Sequence, residues 1–436
     1  FGFLCTEAQS AGGRWSPLSQ GRALTDRRTD LADFDPYSSA FQDNPYPVYA
    51  RLRKESPVFY DPDWELTFFT RHADVAGMLK DRRFGRDIRG VTGDIDPRLY
   101  ARNYPDHLPT WNRYIRGSFI DLEPPRHTRL RRLVQWAFTR RSTETYRPRL
   151  EATAAAAIET AIERGTMEAI TEYATPIPLV MIADLLGIPE ADQPQLVAWS
   201  HDIVRVFDQG CTAEEGARAE ESVGAFVEYI RQVLADRRRQ PGSDLVSSLI
   251  AADHEGDRLD EDELIATCIL TLNAGHEATV HAIGNGLLAL ASDPEQFELL
   301  KADPGGLAER ATDEILRFDS PLQMFERWVL SDLTWSGREL EHGTKVGLLF
   351  GSANHDESVF SDPAHLDLLR TENPHVSFGA GVHYCVGAPL AKVELEVAFA
   401  SFAARVEKFE LIDEPERVHS LVFRGLRSLP LALSPR

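Results

Sequence analysis

The stretch HVSFGAGVHYCVGAPLA, residues His375 to Ala391, decides the reading of this chain. Cys385 follows a loop carrying Gly379 and Gly381 and precedes a run, from about Pro389 to Arg405, with helical periodicity. A thiolate there is expected to accept backbone N–H groups and to feel the positive helix end, which lowers its pKa and suits it to holding a metal. Gly387 lets a flat ligand or a second backbone come close. A dinucleotide-binding loop is the wrong reading, because Gly387 falls six residues after Gly381 instead of three and no β-branched strand precedes the loop. A nucleophilic cysteine finds no matching His/Asn arrangement. A buried structural cysteine is the plain alternative.

Outward from this loop, helical segments dominate. They run from about Arg126 to Phe138, Arg147 to Glu163, Met167 to Leu186, Gln193 to Phe207, Glu214 to Arg239, Leu245 to Ala252 and Glu261 to Ala291. The last would be about 46 Å long at 1.5 Å per residue, enough to cross the whole molecule. Tyr46 to Lys54 reads as a short helix. PVFY and LTFF read as a hairpin turned by Asp61-Pro62-Asp63, and Arg327–Leu349 reads as β-rich with turns at Ser336-Gly337 and His342-Gly343. With 436 residues the length prior suggests two or three domains, yet no repeat, linker or composition break divides the chain. The expectation is a mainly α fold: one large helical domain over 31–436 with a smaller β-rich region, after an irregular arm over 1–30.

The pattern F-G-x-G-x-H-x-C-x-G, met by Phe378, Gly379, Gly381, His383, Cys385 and Gly387, resembles the haem-binding signature of the cytochromes P-450. The resemblance extends from about Asp33 to the C-terminus. It implies the cytochrome P-450 fold, with haem b between the long central helix and the cysteine-loop helix. It makes Cys385 the axial thiolate, whose electron donation favours O–O cleavage. Phe378 would pack beside the sulfur and His383 would reach a haem propionate. The implied activity is that of a soluble haem-thiolate monooxygenase.

Three further segments are similar to family motifs. Glu314-Ile-Leu-Arg317 matches E-x-x-R, a buried ion pair behind the haem; the family's third member, an Arg, is replaced by His365, and Arg370 could substitute. His127 and Arg131 match H-x-x-x-R and lie within 40° of each other at about 100° per residue, so the resemblance assigns both, with Arg327, to the propionates. Arg129 and Arg132 fall on the opposite side and are expected to form a basic face that docks an acidic electron carrier, a separate ferredoxin or flavodoxin with its reductase. Asn273-Ala274-Gly275-His276-Glu277-Ala278-Thr279 is similar to A-G-x-D/E-T, where a kinked helix makes an oxygen pocket and an acid–alcohol pair delivers protons. Here Ala278 holds the alcohol position, and Thr279 is displaced by about 100° and cannot simply take over. Protons are therefore expected from water, Glu277 or a substrate hydroxyl.

The family resemblance also implies that the region of Tyr100, Tyr104, Trp111 and Tyr114 roofs the substrate pocket, with Val204–Phe207, Leu322–Phe325 and Leu421–Phe423. That pocket suits a small hydrophobic organic substrate, with O2 as oxidant. A haem-thiolate peroxygenase or oxidative-coupling enzyme, and a non-catalytic haem-binding protein, are the competing functional readings. The chain carries 47 Lys+Arg against 68 Asp+Glu, a net charge of −21, which argues against nucleic-acid or anionic-membrane partners. Cys5, Cys211, Cys268 and Cys385 are far apart, with no CxxC or zinc spacing, so free thiols and a cytoplasmic location are expected. No apolar run spans a bilayer.

Overall fold

The computed structural model describes residues 34–89, 103–207, 211–252 and 258–436. The expected arm over 1–30 and Tyr100 lie outside them. Six helices position the site: α1 (Arg126–Val134), α2 (Pro176–Leu186), α3 (Gln193–Arg205), α4 (Glu261–Ser292), α5 (Pro304–Phe318) and α6 (Ala388–Arg405). The start of α4 is set by a capping box: Asp260 accepts from the Glu263 N–H, and the Glu263 carboxylate accepts from the Asp260 N–H. Three acids in its first turn complement the helix dipole. Residues 264–269 and 279–287 are buried all round, as expected of a helix that others surround, while most of 273–278 between them is less buried where the helix borders a cavity. It packs against α2, α5 and α6.

The hairpin forms as its residues dictate. Asp61 Oδ1 accepts from the N–H groups of Asp63 (2.9 Å) and Trp64 (3.1 Å), closing the turn between β1 (Val58–Asp61) and β2 (Leu66–Phe69). With β3 (Phe84–Gly85), β4 (Met324–Val329) and β5 (Lys345–Leu349) they make a sheet of order β1-β2-β5-β4-β3. Only β2 and β5 run parallel. Every residue of β2, β4 and β5 is buried, including the charged Glu326 and Arg327 of β4 and Lys345 of β5. The expected turns sit at Ser336-Gly337 and at Gly343, all with positive φ.

Two expectations change. The run Met167–Leu186 is not one helix: Thr166–Glu168 is a strand pairing with Pro430–Ala432, Ile170–Ala174 forms a π turn, and α2 begins only at Pro176. Proline supplies no N–H and is tolerated in a first turn, so Pro176 and Pro178 favour a fresh start over continuation. Cys268 and Cys385 are free, but Cys211 is disulfide-bonded, which removes cysteine usage as an argument for a reducing compartment. No helix among the described residues is long and apolar enough to cross a membrane.

Candidate active site

The cysteine loop is held by its glycines. Gly379 and Gly381 both adopt φ of 69°, and a Cβ at Gly381 would lie 2.2 Å from the Leu79 carbonyl oxygen. The Cys385 N–H donates to Phe378 O at 2.9 Å, which closes the loop on itself. Cys385, Phe378, Gly379, His383 and Gly387 then line one cavity of about 250 Å³ whose opposite wall is α4. Burial pushes the Cys385 thiol up, while the Gly387 and Ala388 N–H groups and Arg131 act the other way. The net direction is upward, against the lowering expected from the helix dipole alone. Desolvation outweighs the two N–H groups. A thiolate at this depth is stable only when a cation binds it directly, since coordination deprotonates the thiol outright.

The cavity rim carries donors without partners. His127 is 2% exposed and neither ring nitrogen has a hydrogen bond; burial, then His383 and Arg131, holds its pKa down to about 4. Arg131 reaches the same cavity, and its guanidinium has no ion-pair partner among the described residues. Arg327, on β4, donates to Glu326 O at 2.9 Å, and burial lowers its pKa to about 9. His383 stands 4.5 Å from the His127 ring, with Nε2 3.3 Å from Glu123 Oε1. Unpaired buried donors around an apolar slot, facing a free cysteine, are what a flat dianionic metal group requires. The donor set therefore fits haem, and Cys385, His127, Arg131 and Arg327 are the residues that would hold it.

On the α4 side the helix continues unbroken through Asn273–Thr279. Gly275 owes its place to packing: a Cβ there would lie 2.5 Å from Ile182 Cδ1 of α2. Ala274, Gly275, Ala278 and Thr279 line the cavity; Glu277 does not. Its mostly buried carboxylate turns away from the cavity, 3.2 Å from Nε2 of the exposed His201 on α3 and 3.8 Å from Nε2 of the buried His281. Thr279, displaced from the alcohol position at Ala278, shares its hydroxyl hydrogen between Glu394 Oε2 and the Gly275 carbonyl, each at 3.4 Å. Glu394, on α6, is 1% exposed and lines the cavity, and its Oε1 has no partner. Burial raises its pKa to about 8, so it holds a proton at neutral pH. Sequence reasoning missed Glu394. The available signal was an acid at nine residues past Cys385 inside an otherwise apolar helix. Its neighbour Glu396 was no guide, because Arg140 and Arg147 pair with it.

Behind the loop, Arg317 and Glu314 form a fully buried bidentate pair at 2.7 and 2.8 Å. The third member is Arg370, whose Nε lies 3.0 Å from Glu314 Oε2, with Asn373 Nδ2 at 3.1 Å. His365 contributes only its carbonyl, which accepts from Arg317. Imidazole is thus not the family arginine's replacement here. Arg129 does not form part of a free basic face: it pairs with Glu263 at 2.7 Å, at the start of α4, while Arg132 stays exposed. Among the roofing residues, Tyr104 and Trp111 are buried, and Tyr114, Val204 and Phe207 line a side chamber of about 70 Å³. Leu322, Phe325 and Phe423 line the main cavity.

A cysteine loop aimed at a long central helix, with cationic donors on the rim, defines a haem-thiolate protein. The cytochrome P450 family model matches residues 101–303 and 307–426. The chain is 33% identical to the polyketide biosynthesis cytochrome P450 PksS of Bacillus subtilis (strain 168), over 92% of this chain and 98% of that protein. It is 37% identical to the vitamin D(3) 25-hydroxylase of Pseudonocardia autotrophica, over 95% and 99% respectively. The crystal structure of P450BioI in complex with an acyl carrier protein ligated to hexadec-9Z-enoic acid superposes with a TM-score of 0.83 at 31% identity, covering 91% of this chain and 99% of that one. The chain belongs to the cytochrome P450 family, and it is an oxidoreductase of the monooxygenase class carrying a haem-thiolate centre. Its family implies an organic substrate and a redox partner.

Proposed function

We propose that residues 31–436 form one haem b domain that inserts one oxygen atom of O2 into a hydrophobic organic substrate. The observation that carries this reading is a free Cys385 facing α4 across an apolar cavity rimmed by unpartnered His127 and Arg131. Bound haem would supply oxygen activation, and the Cys385 thiolate would hold it and donate electron density to it. Apolar lining from Phe119, Ile120, Ile182, Leu322 and Phe423 excludes water and holds a hydrophobic substrate. Relatives named for polyketide biosynthesis and for vitamin D(3) hydroxylation support a substrate of that character.

Proton delivery uses Thr279 and Glu394. Glu394 keeps its proton below about pH 8. Thr279 presents a hydroxyl to the cavity one residue beyond Ala278, fixed by its bond to Glu394. The hydroxyl missing at Ala278 is thereby replaced from the next position, with water completing the path. Glu277, 3.2 Å from the exposed His201, serves as the solvent side of this supply through that imidazole. Electrons come from a separate ferredoxin or flavodoxin in the cytoplasm; Arg132 contributes to its docking, and Arg129 acts within the fold. The test is turnover with isotopically labelled dioxygen, ferredoxin, its reductase and NAD(P)H: one labelled oxygen in the product is expected. Turnover with hydrogen peroxide alone and none with the electron carriers contradicts the monooxygenase reading in favour of a peroxygenase.

A further inference from the structure

Where the main cavity and the side chamber meet, the described residues they share are Ile120, Leu270, Asn273, Ala274 and Phe423. Four are apolar and one is an amide. Asn273 Oδ1 is buried and has no hydrogen-bond partner. The other polar residues of the side chamber are already engaged. The Ser118 hydroxyl donates to Ile115 O at 2.7 Å, and Tyr114 OH donates to Asp262 Oδ1 at 2.9 Å. Asp121 lies between Arg86 and Arg116. A buried amide oxygen left unpaired in an apolar wall lowers stability unless something fills the valence, so such groups mark ligand contacts.

We propose that Asn273 is a specificity-determining residue and that the substrate is an otherwise hydrophobic molecule bearing a hydroxyl group, which donates to Asn273 Oδ1. This deepens the monooxygenase reading and rests on it. The position suits selection better than chemistry. Asn273 precedes Ala278 by five residues, so it stands about 7.5 Å further along α4. It also touches both chambers, so a substrate anchored there reaches from the side chamber into the main cavity. A site built to bond a hydroxyl rejects the analogue lacking it, because its own polar group then stays buried and unpaired.

The experiment uses the purified holoprotein and matched pairs of an alcohol and its parent hydrocarbon on three scaffolds: straight-chain decane to tetradecane, a bicyclic terpene and a steroid. The spectral shift of the haem on binding reports Kd. In at least one scaffold the alcohol should bind about tenfold more tightly than the hydrocarbon. Asn273→Leu should abolish that preference, the alcohol and the hydrocarbon then binding within about twofold of each other, and Asn273→Asp, which keeps an acceptor, should retain a preference for the alcohol. Equal binding of alcohol and hydrocarbon on all three scaffolds, or a preference that survives Asn273→Leu, overturns the proposal and leaves Asn273 bonded to ordered water only. The reduced carbon-monoxide spectrum separates the two readings. If wild type and variants all show the thiolate band, a lost preference speaks to Asn273 alone; if none shows it, the haem-thiolate reading itself has failed.

Discussion

The two walls of the cavity treat buried polar groups in opposite ways. Behind the Cys385 loop, Glu314 accepts from Arg317, Arg370, Asn373 and the Asp367 N–H, and Arg317 also bonds three carbonyls. Every charge there is matched. Along α4, Asn273 Oδ1 and both His276 nitrogens lack hydrogen-bond partners, as does Oε1 of Glu394, which faces Thr279 from α6. A matched buried network holds one geometry, and an unmatched one keeps valences for ligands and protons. On the proposed reading, the first wall fixes where the metal ligand stands, and the second serves oxygen chemistry and substrate choice.

The largest expected effect tests the matched wall. Glu314→Ala leaves Arg317 and Arg370 as uncompensated buried charges and should destabilise the protein by about 3–5 kcal/mol, read by urea unfolding of the holoprotein. A loss under about 1 kcal/mol would show that the network does not hold the loop.

The unmatched wall predicts a response to acid. Burial holds His276 down to about 4 and His355, on the matched side, down to about 3. Both are neutral in the folded protein, while their unfolded pKa is near 6.5. Below about pH 6.5 the unfolded state binds more protons, so stability falls as pH drops towards the folded values. Each histidine should account for about 2 kcal/mol at pH 5. His276→Phe should flatten this slope by one histidine's share, measured as urea midpoint against pH. An unchanged slope means that His276 titrates normally.

Next comes proton delivery. Thr279→Val and Glu394→Gln should each lower the product formed per NAD(P)H consumed several-fold, about 1 kcal/mol, with the haem spectrum unchanged. In the wild type, coupling should fall as pH rises through about 8, where Glu394 loses its proton. Ala278→Thr should improve coupling little. If Ala278→Thr improves coupling strongly while Thr279→Val leaves it untouched, the proton path does not run through Thr279. The smallest effect is at His365, whose side chain takes no part in the network: His365→Ala should change stability by less than about 0.5 kcal/mol. A larger loss, approaching that of Arg370→Ala, would return His365 to the network.

The matched wall was the more legible in sequence. Its residues lie in local patterns: glycines where φ is positive, a proline opening α6, a Glu and an Arg three apart on α5. Even there the third partner was ambiguous. Both His365 and Arg370 lie in one irregular segment, and only the path of the backbone decides which side chain turns inward. The unmatched wall depends on contacts between distant elements. Glu277 pairs with His201 and Thr279 with Glu394, and no spacing within one helix reveals either pair. The ion pair of Arg129 was hidden for the same reason, because its partner Glu263 stands 134 residues away. The Cys385 thiol shows the limit in another form. Its helix-end donors are local and visible in sequence, but the burial that outweighs them belongs to the whole fold.

The most direct test of the account is the carbon-monoxide difference spectrum of the reduced holoprotein, for wild type and Cys385→His. The wild type should give the red-shifted Soret band of a thiolate-ligated haem, and Cys385→His should lose it in favour of the band of imidazole-ligated haem. A wild-type spectrum of the imidazole kind, or a thiolate band that persists in Cys385→His, would contradict the assignment of Cys385 to the iron.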